Sequence, residues 1–326
     1  MRIVVTGSLA YDYIMNFPGF FKDHILPDKV HMLTVSFLVD SMRRMRGGVA
    51  GNIAYTLALL GERPLVFASA GQDFGEYRAL MEQRGIDASG VTMLEDEFTA
   101  SCFINTDQAN NQIVAFYTGA MAHAKHLSLK SLNLGKGDLV IISPTDPEAM
   151  ARYADECREL GVPFVFDPGK QTPRLEGEQV LAGLRGASVL IGNDYEFGMM
   201  AQKTGRSEAE LIGAAPLTVV TRGGEGSVIY SAATNGDGLH IPTAPVNAVV
   251  DPTGAGDAYL AGFVFGLARG FSLETTGRVA ALAAAYAIEH RGCQEHHYTP
   301  DEFVERYISA FGPSAEIESL RISVQQ

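Results

Sequence analysis

A glycine-rich turn near residue 251 carries the residue types best suited to chemistry in this chain. Residues 251–258 (DPTGAGDA) follow a strand-like stretch and lead into an amphipathic helical pattern. A glycine-rich turn that opens a helix presents unbonded backbone N–H groups and the positive end of the helix dipole, and together these bind anions. Asp257 lies in the first turn of this helix, where its carboxylate could act as a general base or could simply cap the helix.

Two further groups of polar residues directly follow strand-like stretches. Asn193 and Glu196 come after residues 189–191 and share one helix face. They could hold magnesium directly or through water, or they could close a capping box. Residues 221–226 (TRGGEG) contain three glycines, which would let the backbone approach a nucleotide closely or would form a tight hairpin turn.

The amino-terminal part of the chain holds candidates for binding a polar substrate. Residues 47–52 (GGVAGN) open a predicted helix, and Asn52 could contact such a substrate or cap a glycine-rich turn. Asp12 lies just past the first predicted strand, in a run that is otherwise apolar or aromatic. Its carboxylate could accept hydrogen bonds from a diol, or it could be an ordinary surface aspartate.

These residues need a scaffold that brings strand ends together, and the hydrophobic pattern predicts one. Short β-branched stretches recur along the chain, several of them apolar throughout, as expected of strands buried on both faces. Helical patterns such as residues 147–160 separate them, which is the alternation of a parallel α/β sheet. The predicted strands are residues 3–6, 65–69, 139–143, 164–166, 189–191 and 217–221.

Two segments interrupt this alternation with strand-like patterns that have no helices between them. They are residues 13–46 and 91–118, and the second contains the strand-like runs 100–105 and 112–117 on either side of a polar turn. We expect these segments to form a small β-sheet lid over the carboxyl edge of the main sheet, where open α/β folds bind their ligands. The α/β core would consist of residues 1–12, 47–90 and 119–326.

Composition narrows the class of partner. The chain has 326 residues and a formal net charge of −13, which disfavours nucleic acid and anionic membranes and leaves small molecules as ligands. Its three cysteines show no CxxC spacing, so we expect no disulfide framework or zinc site, and a cytoplasmic location. No P-loop, dinucleotide-binding, zinc-protease or serine-hydrolase motif occurs in the sequence.

The order of the motifs resembles that of the ribokinase (PfkB-type) carbohydrate kinase family. Along the chain they are Gly-Gly at 47, Asn-x-x-Glu at 193, Thr-x-Gly-x-x-Gly at 221 and Asp-Pro-Thr-Gly-Ala-Gly-Asp at 251. The resemblance implies a three-layer α/β/α core with a mostly parallel sheet and a small β-sheet lid. The parts that are similar to the bacterial adenosine kinases of this family are residues 6–8, 36–40, 47–52, 116–121 and 292–295.

This resemblance implies phosphorylation of the 5′-hydroxyl of adenosine by ATP, with AMP and ADP as products. Asp257 would take the proton from that hydroxyl. The N–H groups of Gly254, Ala255 and Gly256 would form an anion hole for the transferring phosphoryl group. The residues implied in ATP binding are Asn193, Thr221, Gly223 and Gly226. The residues implied in substrate binding are Ser8, Asp12, Gly48, Asn52, Phe37, Phe116 and Gln171.

The resemblance also implies metal ions and a base pocket. Glu196 would organise Mg²⁺ through water, and K⁺ would lie near Asp251. Phe116 would stack on adenine from the lid, with Phe37 nearby. Cys102 stands where a second adenine-facing aromatic residue is expected, and the adjacent Phe103 would supply it only if the strand register were shifted.

Other activities and an oligomeric state also follow from these features. Within the family, the alternative is a ribokinase- or fructokinase-type sugar kinase or a broad nucleoside kinase, because the ribose contacts would suit any furanose diol. From another class, the alternative is a non-catalytic nucleoside sensor on the same fold. The exposed strand edges of the lid indicate a homodimer joined there.

Overall fold

The computed structural model describes residues 1–25, 34–234 and 236–322, in which strands and helices alternate. The strands are β1 (Arg2–Thr6), β2 (Ala10–Asn16), β3 (Ser41–Gly47), β4 (Leu65–Gly71), β5 (Val91–Leu94), β6 (Ala100–Thr106), β7 (Gln112–Tyr117), β8 (Asp138–Ile142), β9 (Phe164–Phe166), β10 (Val189–Asn193), β11 (Leu217–Thr221), β12 (Ser227–Ser231) and β13 (Leu239–Ile241). The helices are α1 (Val49–Leu59), α2 (Gly75–Gln83), α3 (Pro147–Leu160), α4 (Gly177–Leu184), α5 (Asp194–Thr204), α6 (Glu208–Ile212), α7 (Ala255–Arg269), α8 (Leu273–Ile288), α9 (Pro300–Phe311) and α10 (Ala315–Ile322).

The larger of two sheets forms the centre of the molecule. Within the described ranges it has nine strands, in the order β13-β12-β11-β10-β9-β8-β1-β4-β5. Its strands pair in parallel except at one edge, where β12 pairs antiparallel with both β11 and β13. All six strands predicted for a parallel sheet belong to it, so that prediction is confirmed. The sequence did not reveal β12 and β13, which follow the glycine-rich residues 221–226.

Each face of this sheet is covered by its own layer of helices. Successive residues of a strand point to opposite faces, and in the central strands both directions are apolar and fully buried. Val5 and Ile141 pack in one core with α1, α7 and α8, whereas Val4 and Ile142 pack in the other core with α3, α4 and α5. The result is the three-layer α/β/α arrangement that the sequence predicts.

A second sheet, with the order β3-β2-β6-β7 in the described ranges, corresponds to the predicted lid. Two of its boundaries differ from the prediction. β2 already begins at Ala10, because Ala10 pairs with both Gly47 and Ala100. β5 joins the large sheet instead, because the buried Val91 pairs with Ala68 of β4. Residues 26–33 of the predicted lid segment 13–46 lie outside the described residues.

Two further observations concern membrane-spanning helices and the state of the cysteines. No helix in the described part of the chain is both long enough and apolar enough to cross a membrane. The three cysteines, Cys102, Cys157 and Cys293, are free thiols.

Candidate active site

A cleft of about 730 Å³ lies between the carboxyl ends of the large-sheet strands and the small sheet. It brings together residues far apart in the sequence, because parallel strands end at the same edge of a sheet. The predicted residues that line it are Ser8, Asp12, Gly48, Asn52, Phe116, Gln171, Asn193, Glu196, Thr221, Gly254, Gly256 and Asp257. Among the described residues, the predicted ones outside the lining are Phe37, Gly223, Gly226, Asp251 and Ala255.

The glycine-rich turn forms the amino-terminal end of α7 at one wall of the cleft. Gly254 precedes the helix with a φ of 82°, a conformation that favours glycine, and a Cβ atom there would lie 3.0 Å from Cys293 Sγ. The N–H group of Gly256 lies in the first helical turn, where no intrahelical carbonyl can reach it. The N–H group of Ala255 donates to the Pro252 carbonyl oxygen at 3.3 Å. The N–H groups of Gly254 and Gly256 are therefore the better placed of the three for the predicted anion hole.

Asp257 directs its carboxylate to Asn52 across the cleft wall. Asn52 Nδ2 donates a hydrogen bond to Asp257 Oδ2 at 2.7 Å. Burial raises the pKa of Asp257 to about 6, and the hydrogen bond from Asn52 and the charge of Lys170 act in the opposite direction. A carboxylate with a pKa just below neutral is ionised at pH 7 and still accepts a proton readily. These properties favour a general base over a helix cap.

Other carboxylates share this region with Asp257, and a lysine lies among them. Burial, together with the charges of Glu196 and Asp257, raises the pKa of Asp167 well above its ordinary value. Burial also raises the pKa of Glu196, and the charge of Lys170 opposes that effect. Lys170 lines the cleft with an exposed side chain. It therefore supplies positive charge where a phosphate group would meet these carboxylates.

The sequence analysis gave no role to Lys170 or to Arg174, which also lines the cleft. Both follow the carboxyl end of β9, as Asn193 and Thr221 end the strands β10 and β11. Their place in the segment that follows a strand of the parallel sheet was thus the signal that could have identified them.

Asn193 and Glu196 form a capping box at the start of α5, the structural alternative considered for them. Glu196 N donates to Asn193 Oδ1 at 2.8 Å, and Asn193 N donates to Glu196 Oε2 at 2.8 Å. Because both side chains also line the cleft, the capping box holds the Glu196 carboxylate at the cleft wall. Capping and a role toward a ligand are therefore compatible here.

The carboxylate of Glu196 is suited to a magnesium ion that arrives with phosphate groups. Among the described residues, no group of three His, Cys, Asp or Glu side chains could hold a metal by itself. Magnesium commonly binds through one or two carboxylates, substrate phosphates and several waters. Glu196 is a suitable carboxylate of that kind, and its Oε2 also accepts the capping-box hydrogen bond from Asn193 N. Asp251, the residue predicted beside K⁺, does not line the cleft. Its two carboxylate oxygens accept hydrogen bonds from Thr253 N and Gly292 N, each at 3.0 Å.

Residues 221–226 form the hairpin between β11 and β12. Arg222 N donates to the Gly226 carbonyl oxygen at 2.7 Å, which closes the turn. Thr221 lines the cleft, whereas Gly226 packs against the backbone of Ile241. The glycines at 223 and 226 are therefore explained by the hairpin, and Thr221 is the residue of this segment that faces the cleft.

Three of the predicted substrate-binding residues are held in place by backbone packing and hydrogen bonds. Gly48 has a φ of 86°, and a Cβ atom there would lie 2.5 Å from the Ser8 carbonyl oxygen. The Ser8 hydroxyl oxygen accepts a hydrogen bond from Val49 N at 3.1 Å. Gln171 is buried, and its side-chain amide donates to the Thr145 carbonyl oxygen. These contacts fix the positions of Ser8, Gly48 and Gln171 before any ligand binds.

The small sheet presents one aromatic ring to the cleft. Asp12, Cys102 and Phe116 lie side by side on neighbouring strands, because Cys102 pairs with both other residues. All three line the cleft, and Phe116 is 44% exposed. Phe103 points to the opposite face and stacks on Tyr13 with ring centroids 4.9 Å apart. The register therefore places Cys102, and not Phe103, beside Phe116.

Phe37, which is predicted near Phe116, does not line the cleft. Its ring packs edge-on against Phe17 and Phe21, with centroid distances of 5.1 and 4.9 Å. These aromatic contacts place Phe37 in a cluster outside the cleft lining, so its role toward a base stays a prediction.

Comparisons with known proteins show the family of this chain. The sequence profile of the pfkB family of carbohydrate kinases matches residues 2–300. A nucleoside kinase of Methanothermobacter thermautotrophicus is 33% identical over 313 residues, which cover 95% of this chain and 96% of the relative. The structure of the Burkholderia thailandensis nucleoside kinase in complex with inosine has a TM-score of 0.80 and 37% identity, covering 96% of this chain and 99% of that chain.

A second solved structure is also similar to this chain. The Methanocaldococcus jannaschii nucleoside kinase, an archaeal member of the ribokinase family, has a TM-score of 0.83 and 30% identity, covering 95% of this chain and 99% of that one. The predicted ribokinase-like fold is thereby confirmed. These relatives are nucleoside kinases, so they do not single out the narrower adenosine kinase class that the sequence suggested. By its matched profile and its full-length relatives, this protein is a kinase that belongs to the pfkB family of carbohydrate kinases.

Proposed function

We propose that this kinase transfers the γ-phosphoryl group of ATP to the 5′-hydroxyl of a purine nucleoside. The observation that carries the proposal is the Asp257 carboxylate, with a pKa of about 6, beside the amino terminus of α7 in a cleft that the small sheet borders. Adenosine is the acceptor predicted from the sequence. Inosine, bound by the Burkholderia thailandensis relative, belongs to the same substrate class.

Asp257 would act as the general base of this reaction. It accepts the proton of the 5′-hydroxyl while that oxygen forms a bond to the γ-phosphorus. The bond from the γ-phosphorus to the β–γ bridging oxygen breaks, and ADP leaves. The N–H groups of Gly254 and Gly256, together with Lys170, stabilise the negative charge on the transferring group.

The metal ions and the ATP contacts also belong to this proposal. Mg²⁺ would neutralise phosphate charge, with Glu196 as its protein carboxylate through water. Asn193 and Thr221 would contact ATP from the ends of β10 and β11. K⁺ near the Asp251 loop and a cytoplasmic location stay predictions of the sequence analysis.

The lining of the cleft supports a broad nucleoside acceptor. Asp12, Gly48 and Asn52 would contact the ribose hydroxyls, and Phe116 would stack on the base. Stacking on one aromatic ring tolerates different base substituents, since every base has a π face. The small Cys102 beside Phe116 adds no second ring that would enclose adenine more tightly.

The two other functions fit these observations less well. A sugar kinase would use Asp12 and Asn52 but would have no need of an exposed aromatic ring over the cleft. A non-catalytic sensor would have no need of a carboxylate whose pKa burial raises to about 6 beside an anion hole.

A substrate comparison tests this function. With MgATP, we expect ADP release in the presence of adenosine or inosine and much slower release with ribose or fructose, each measured with and without potassium. Faster reaction with a sugar would support the sugar-kinase alternative, and silence with every acceptor would support the sensor.

A second prediction concerns Phe116. Phe116→Ala should raise the KM for the nucleoside by about 5- to 160-fold, because base stacking on an aromatic side chain contributes about 1–3 kcal/mol. The KM for ribose should change far less, since ribose has no base to stack. Phe103→Ala is the matched control, because Phe103 lies in the same sheet on the opposite face. Equal losses with nucleoside and ribose would contradict the proposed base contact.

We further propose that two copies join through the small sheet. β7 is its terminal strand, and all six of its residues are exposed, including Ile113 at 43% and Val114 at 53%. An exposed apolar edge strand is a ready surface for pairing with another chain. A dimer would cover this apolar surface and would continue the small sheet from one copy into the other.

Light scattering tests the dimer. We expect a particle of twice the chain mass for the unmodified protein. For Val114→Lys we expect the mass of a single chain, because the lysine charge would be buried at the interface between the two copies. Met93→Lys is the control, since Met93 is an exposed apolar residue on the edge strand β5 of the large sheet. A monomeric unmodified protein would rule out this dimer.

A further inference from the structure

Gln294 and Tyr77 form a buried hydrogen-bond network behind the Asp257–Asn52 pair. Gln294 Nε2 donates to Asn52 Oδ1 at 2.9 Å and also donates to the Tyr77 hydroxyl oxygen. The Tyr77 hydroxyl donates in turn to the Gly47 carbonyl oxygen at 3.0 Å. Gln294 is 5% exposed and Tyr77 is 1% exposed, so water does not compete for these bonds.

The direction of each bond follows from the chemistry of its acceptor. An ionised carboxylate only accepts hydrogen bonds, so the Asn52 amide must present Nδ2 to Asp257 and its oxygen Oδ1 to the opposite side. A group on that opposite side must then donate, and Gln294 Nε2 does so. One hydrogen of Nε2 is used for Asn52 and the other for Tyr77. The network is therefore satisfied by one orientation of the Asn52 amide.

The packing of α1 leaves space for this network. Gly51 lies inside α1, where glycine is less favourable than alanine by about 1 kcal/mol. A Cβ atom at Gly51 would clash with the Tyr77 hydroxyl and would lie 3.1 Å from Gln294 Nε2. The glycine at an otherwise unfavourable position is thus required by the two side chains of the network.

We propose that Gln294, supported by Tyr77, is a positioning residue that holds the Asn52 amide in the orientation that donates to the ionised Asp257 carboxylate. The proposal rests on the proposed function, in which Asp257 is the base. Without Gln294, the Asn52 amide can turn its oxygen toward Asp257. A carboxyl group that faces an acceptor oxygen binds a proton more readily, and a protonated Asp257 cannot accept the proton of the hydroxyl.

Other groups also set the charge of Asp257, and the proposed variants leave them in place. Lys170 favours the ionised carboxylate and Glu196 disfavours it. Asp167 and Cys293 also interact with Asp257. Because the substitutions below are neutral, a change in Asp257 cannot arise from an added charge.

The first test is Gln294→Met, which keeps the length of the side chain but cannot donate a hydrogen bond. The ¹³C resonance of the Asp257 carboxyl, identified by its loss in Asp257→Asn, should titrate at a higher pH than in the unmodified protein. In turnover, kcat should fall by about 10- to 100-fold, with a smaller change in KM. An unchanged titration would overturn the proposal whether or not the protein phosphorylates nucleosides, so this failure is separate from failure of the proposed function.

A double substitution tests whether Gln294 acts through Asn52. In an Asn52→Ala background, Gln294→Met should cause no further change in the titration of Asp257, because the group that Gln294 orients is already absent. Independent, additive changes would show that Gln294 acts on Asp257 directly and would contradict the proposal.

Tyr77→Phe provides a second variant if Gln294→Met does not fold. It removes the hydroxyl that anchors Gln294, so the Asp257 titration should move in the same direction by a smaller amount. Tyr153→Phe is the matched control, because it removes a buried hydroxyl that donates to the Ala124 carbonyl oxygen at 3.0 Å outside the cleft lining. Equal titrations in these two variants would contradict the proposal.

Discussion

A carboxylate and a phosphate group carry charge of the same sign, and this cleft must hold both within contact distance. Asp257 lies in the first turn of α7, whose N–H groups we propose as the anion hole. Repulsion in a water-poor cleft would keep such a carboxyl protonated unless positive groups opposed it. The hydrogen bond from Asn52 and the charge of Lys170 provide that opposition. The result is a carboxylate that is ionised at neutral pH and basic enough to take a proton.

The fold provides these groups because of where its strands end. Five strands of the large sheet run parallel, so the residues that follow them lie at one edge of the sheet. These strands are β1, β8, β9, β10 and β11. The small sheet borders the other side of the cleft, where it can limit the access of water, a competing phosphoryl acceptor. Behind the base, the buried Gln294 ties Asn52 to the body of the protein. The site is therefore built from rigid elements on one side and a smaller sheet on the other.

The sequence predicted the parts of this arrangement that have a local signal. Buried strands show as apolar runs, and a glycine-rich turn before a helix located Asp257. Contacts between distant segments have no such signal. The place of Lys170 after a predicted strand indicates the edge of the sheet but not its neighbours there, and Lys170 and Gln294 acquire a role only when the fold brings them to Asp257, 87 and 37 positions away along the chain. The contacts of Phe37 with Phe17 and Phe21, which place it outside the cleft lining, likewise have no signal in the sequence. The order of the motifs was enough to predict the family, whereas the choice among nucleosides depends on the shape of the whole cleft.

The most direct test of the central claim is the pH dependence of kcat/KM for nucleoside phosphorylation between pH 5 and 8. Because the pKa of Asp257 is raised to about 6, the base is present above that pH and is lost as the carboxyl takes up a proton below it. The account predicts a fall of about tenfold per pH unit on the acid side in the unmodified protein. In Asp257→Asn, the rate should be about 10²- to 10⁴-fold lower and without this acid limb. A rate that stays constant down to pH 5, or near-normal turnover of Asp257→Asn, would contradict the account.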